Sequence, residues 1–121
     1  KIKEQETGVS MKMKVTERYE AIVIELKGNV LGGPEANEYS DTIKKFLSEG
    51  KKNIVVDLGE VKFMNSSGLG MLIAGLTTVN KEDGKLKLAN VEEKIHSLLV
   101  ITKLVTIFES YPSVEEALAS F

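Results

Sequence analysis

Asn53-Ile54-Val55-Val56-Asp57-Leu58, continuing through Gly59-Glu60-Val61-Lys62-Phe63-Met64-Asn65 into Ser66-Ser67-Gly68-Leu69-Gly70, decides the architecture. The first six residues are a short, nearly continuous apolar run, as expected of a central strand buried on both faces. Gly59 to Asn65 reads as a loop. Beyond it Leu69, Leu72, Ile73, Leu76 and Val79 fall at helical spacing as far as Asn80, with Gly84 in the turn that follows. Asn65 is placed to cap this helix, which makes Ser66 and Ser67 its first residues.

Working outward, Val15-Thr16 and Ala21 to Leu26 are rich in β-branched residues and read as strands, joined by the short polar connection Glu17 to Glu20 into a hairpin. Gly28 to Gly33 is a glycine-rich loop. Pro34 suits the first turn of a helix, where a missing N–H is harmless, and Ala36, Tyr39, Ile43, Phe46 and Leu47 lie on one face of it until Gly50. Downstream come a strand at Leu86 to Ala89, a helix from about Glu92 carrying Ile95, Leu98 and Leu99, and a short strand near Ile107-Phe108. A last helix opens on the capping-box pair Ser113 and Glu116. Strands separated by helices imply parallel crossovers, so the expected fold is α/β, a mixed sheet of four to five strands with about four helices packed on it. Lys1 to Ser10 reads as a polar tail and 11–121 as one domain.

Apolar residues at 42% and charged residues at 28% are an ordinary globular balance. The net charge is −2, and lysines alternate with glutamates rather than forming a basic stripe, which argues against nucleic acid as a partner. No run approaches the roughly 20 apolar residues of a membrane span, and no leader pattern precedes the first strand. A soluble cytoplasmic protein that makes no membrane contact is the expectation. Cysteine is absent and His96 is the single histidine, which removes disulfides, thiolate catalysis and most metal sites.

The serine turn is where chemistry can reside. The first N–H groups of a helix have no internal acceptors and the helix dipole is positive there, so a phosphate on Ser66 meets donors and favourable charge. The fold should survive it, while about 1.5 to 2 negative charges appear on the surface. Gly68 and Gly70 would leave the helix start free of bulk for an approaching protein, with Met64, Leu69 and Met71 offering apolar contact. The same residues also suit a plain capped helix, with the glycines permitting tight packing on the sheet.

Phe63-Met64-Asn65-Ser66-Ser67-Gly68-Leu69-Gly70, the preceding Ile54 to Leu58 and the closing Ser113-Val114-Glu115-Glu116-Ala117-Leu118 resemble the STAS domains of bacterial anti-sigma factor antagonists, and the likeness runs from about Met11 to Phe121. The resemblance implies that Ser66 is phosphorylated by an ATP-binding serine kinase that is itself the anti-sigma factor. It implies that the unphosphorylated form binds that kinase and frees the sigma factor, and that a metal-dependent serine phosphatase restores binding. By the same resemblance Leu31, Gly32 and Gly33 join Met64, Asn65, Ser67, Gly68, Leu69 and Met71 in the docking surface; by composition alone the loop is equally a strand-to-helix turn. Two departures stand out: Asn65 and Leu31 occupy positions where the family often has aspartate, so a kinase that reads those aspartates would not be the partner here.

A hydrolase reading fails because no glycine stands two residues before either serine and His96 is the only imidazole. Gly68-Leu69-Gly70 begins a dinucleotide fingerprint, but Ile73 holds its third glycine position and no phosphate loop occurs, so no cofactor is expected and ATP would belong to the partner. The reading is therefore a non-enzymatic signalling domain. The runner-up is a STAS interaction subunit of a lipid-transport or stress-signalling assembly in which Ser66 is never phosphorylated.

Overall fold

The computed structural model describes residues 11–121; the tail expected over 1–10 lies outside them. The elements are β1 (Met11–Arg18), β2 (Ala21–Val30), α1 (Pro34–Ser48), β3 (Asn53–Met64), α2 (Ser66–Lys81), β4 (Lys85–Ala89), α3 (Glu93–Ile101), a 3-10 turn (Leu104–Thr106), β5 (Glu109–Tyr111) and α4 (Val114–Ala119). The strands form one sheet in the order β1-β2-β3-β4-β5, with β1 antiparallel to β2 and every later pair parallel. This is the mixed α/β architecture expected.

Each crossover from β2 to β5 steps to the next strand in the same direction. Right-handed crossovers that never reverse leave all their helices on one side. Accordingly Tyr39, Ile43 and Leu47 of α1, Leu69, Met71, Leu72 and Val79 of α2, and Ile95 and Leu99 of α3 pack with Ile22, Ile24, Leu26, Ile54, Val56, Leu58, Leu86 and Leu88 in one large cluster. The alternate strand positions Val23, Val55 and Ala89 point the other way, where among the described residues Ala117 of α4 covers them, with Tyr111 and Phe121 at the margin.

Four boundaries differ from the expected ones. The hairpin turn is two residues, Tyr19-Glu20, because Arg18 already pairs with Ala21. Tyr19 adopts a positive φ of 57°, a conformation that costs an L-residue about 1–2 kcal/mol. Gly28 to Val30 continues β2, so the loop shrinks to Leu31–Gly33. The expected loop from Gly59 is strand as far as Met64, because two bulges let β3 carry on beside β2: Glu25 and Lys27 face Asp57 and Glu60, and Gly28 and Asn29 face Val61 and Phe63. The Asp57 Oδ1 holds the first bulge by accepting from the Gly59 N–H at 3.0 Å and from the Asn90 side-chain amide at 3.0 Å. Near the end of the chain, Phe108 is buried and Ile107 follows the 3-10 turn, which moves β5 on to Glu109.

Between α1 and α2 the Tyr39 hydroxyl is fully buried against Gly75 without a hydrogen-bond partner, and burial pushes its pKa up. An unpaired buried hydroxyl costs folding energy that its removal recovers. Tyr39→Phe is therefore expected to raise stability by about 1 kcal/mol in urea unfolding monitored by circular dichroism; a loss of stability would show that the hydroxyl is bonded.

Candidate functional site

β3 delivers its last residue, Met64, into the core, and Asn65 then turns the chain into α2. The Asn65 side chain accepts a hydrogen bond from the Gly68 N–H at 2.8 Å, and its carbonyl accepts from Leu69 N–H at 2.9 Å. The amides of Ser66 and Ser67 are left as first-turn donors with no acceptor inside the helix. Both serines are exposed. α2 carries no acidic residue in its first turn, and from Phe63 to Asn80 the chain has no charged residue at all.

The loop after β2 meets this turn. Asn65 N–H donates to the Val30 carbonyl at 3.4 Å. The left-handed Gly32, with φ 80°, lies so close to Ser67 that a Cβ on it would stand 2.9 Å from the Ser67 Cβ. Leu31, Gly32 and Gly33 are thus brought together with Asn65, Ser66 and Ser67 into one surface. Leu31 and Asn65 are half-buried, Gly33 is exposed, and Gly32 is buried.

Four of the expected contact residues sit elsewhere. Met64, Leu69 and Met71 are buried in the main cluster, with 4–6% of each exposed. Their apolar side chains complete the sheet-facing side of α2, which outweighs any exposure at its first turn. Gly68 is buried as well, and a Cβ there would collide with the Val30 carbonyl. Its small size serves helix-on-sheet packing; Gly70, with nothing within 4 Å of a would-be Cβ, is the glycine that leaves the helix start open. Phe63, two residues before the cap, is 50% exposed and paired in register with Asn29 at the second bulge. Alternation alone would assign Phe63 and Met64 to opposite faces; without sight of the bulge it does not say which one is solvated.

Among the described residues no group of three or more His, Cys, Asp or Glu is placed to hold a metal ion, and no helix is long and apolar enough to cross a membrane. Clefts of about 340 Å³ beside Asn90, Glu92, His96 and Tyr111 and about 360 Å³ beside Glu60, Lys62 and Lys94 include neither serine.

The STAS domain profile matches residues 12–117. The chain belongs to the STAS domain family. Curated relatives include the anti-sigma-B factor antagonist of Staphylococcus aureus, 31% identical over 67 residues, an overlap of 55% of this chain and 62% of the relative. Solved STAS structures share the fold. An anti-sigma factor antagonist from Mycobacterium paratuberculosis superposes with a TM-score of 0.78 at 22% identity, covering 92% of this chain and 93% of that one. The Bacillus cell fate determinant SpoIIAA in its phosphorylated form gives 0.71 at 19% identity, with 90% and 98% coverage.

The electrostatics of the serine turn can be measured without a partner. The sequence has no cysteine, so Ser66→Cys introduces a single thiol. A thiol at a helix N-terminus titrates below the ordinary value of about 8.5. Alkylation by iodoacetamide followed against pH should give a midpoint about one unit lower than that; a midpoint at or above it would mean that this helix end does not stabilise an anion.

Proposed function

We propose that this STAS domain is an anti-sigma factor antagonist that binds an anti-sigma factor serine kinase when Ser66 is free and is released when Ser66 is phosphorylated. The observation that carries this reading is the position of Ser66: exposed, first in α2, in a helix turn without acidic residues beside the Leu31–Gly33 loop. A serine at that place gains charge without disturbing the packing beneath it, because Met64, Leu69 and Leu72 support the turn from the core side. The names of the curated relatives and the likeness to SpoIIAA in its phosphorylated form support the same role.

The switch works by desolvation. A partner seated on this surface meets backbone, serine hydroxyls and Leu31, with the Glu35 carboxylate beside Gly33 at its edge. A phosphoryl group placed there is a dianion that must be paired or stripped of water, at a cost of several kcal/mol per ion. Since about 1.4 kcal/mol is tenfold in affinity, a hundredfold loss of binding is within reach. A serine phosphatase would reset the domain. Asn65 and Leu31, where the family often has aspartate, suit a kinase whose docking face does not depend on those charges. The domain acts through binding, in the cytoplasm, and transfers no group itself.

Intact-mass spectrometry of the protein isolated from its own cells should show a phosphate that vanishes in Ser66→Ala. Its absence under all growth conditions favours the fixed interaction subunit instead, and its persistence in Ser66→Ala moves the site. A second expectation is that Ser66→Asp keeps the far-ultraviolet circular dichroism of the parent and binds the kinase about a hundredfold more weakly; equal binding sinks the charge switch.

A further inference from the structure

The sheet face opposite the serine helix has its own construction. Lys87 of β4 is a charged residue buried in this fold, 4% exposed. Its ammonium donates to the Ser120 carbonyl at 3.0 Å and the Ser120 hydroxyl at 2.8 Å, just beyond the last turn of α4. The Glu109 carboxylate lies 3.4 Å away, and the rings of Phe121 and Tyr111 are centred 4.7 and 5.5 Å from the nitrogen. Every one of these partners belongs to β5 or to the end of α4.

The rest of the attachment is slight. α4 has six residues, of which Ala117 is fully buried, and a helix that short has no stability of its own. Its cluster with Val23, Val55 and Ala89 is small and separate from the main core, edged by half-buried Val114, Leu118 and Phe121. At its first turn Arg18 reaches Glu115 at 2.5 Å, but both side chains are solvent-exposed to 34% and 67%, and such pairs contribute about 0–1 kcal/mol. Undocking costs the ammonium both Ser120 hydrogen bonds and the Phe121 ring, but it returns the amine to water, and that hydration offsets part of the loss. An apolar residue at that position would have no such return on opening.

We propose that α4 is a flap that opens as a unit while the sheet and the other three helices stay folded, with Lys87 as the buried group that opening releases to water. The open form bares Val23, Val55, Ala89 and the Lys87 amine on the side of the sheet away from Ser66.

The test combines native-state hydrogen exchange with acetylation of the full chain by N-hydroxysuccinimide acetate, mapped by peptide mass spectrometry. Exposed Lys85 on the same strand is the reference amine. In the parent, the Val114–Ala119 amides should exchange at least about tenfold faster than those of Ile54–Leu58 in β3, as expected of a low-energy local opening. Lys87 should react faster than global unfolding, read from the slowest β3 amides, would allow. Ala117→Asp, which sets a charge beneath the helix, should bring Lys87 to the reactivity of Lys85 while β3 stays protected. The proposal is overturned if α4 and β3 amides of the parent exchange together, or if Lys87 reacts only at the rate of global unfolding. It is equally overturned if Ala117→Asp unprotects β3 or prevents folding, since α4 is then an integral part of the domain.

Discussion

The contact on which the site depends is the approach of the first turn of α2 to the end of β2. The Val30 carbonyl accepts from Asn65 and leaves no room for a side chain on Gly68. This seats the helix start directly on the sheet, turns Ser66 outward and brings Gly32 against Ser67. A larger residue at 68 would lift the turn and separate the two halves of the surface, so one backbone-to-backbone approach holds the serine and the neighbouring loop in a single frame.

Beneath that contact lies a sheet whose helices crowd one face. Because the crossovers never change direction, the sheet lacks the reversal point at which doubly wound α/β folds open a ligand crevice at their strand ends. The opposite face is left to a short helix, and the weight of the core is accordingly unequal: the large apolar cluster stands on the side of α1, α2 and α3 and a small one beneath α4.

Much of the fold was legible because its signals are local and periodic. The apolar run from Ile54, the helical spacing from Leu69, the Pro34 start and the Ser113 cap each correspond to an element in the structure. What was not legible depends on partners distant in sequence. Gly59 reads as a loop residue until Asp57 holds it in a bulge together with Asn90, a residue 33 positions away from Asp57. Tyr19-Glu20 lacks the glycine or asparagine that marks a two-residue hairpin turn, and the ladder between β1 and β2 imposes the turn on it. In the site, the cap at Asn65 and the exposure of Ser66 follow from the helix start. The burial of Met64, Leu69 and Met71 does not, since residue type alone cannot say which side of the first turn meets the sheet.

The amide at position 65 has a further consequence. A carboxylate cap would add its own titration beside the serine, whereas Asn65 keeps the unmodified turn neutral at every physiological pH. Under the proposed phosphorylation of Ser66, contrast between the two states of the turn is set by the phosphate, whose second ionisation is near pH 6 for a free phosphoserine and is drawn lower by a helix N-terminus. Above that value the modified turn is doubly charged; below it, singly. Under the proposed phosphorylation, acidification would narrow the difference between the two surfaces from the modified side only.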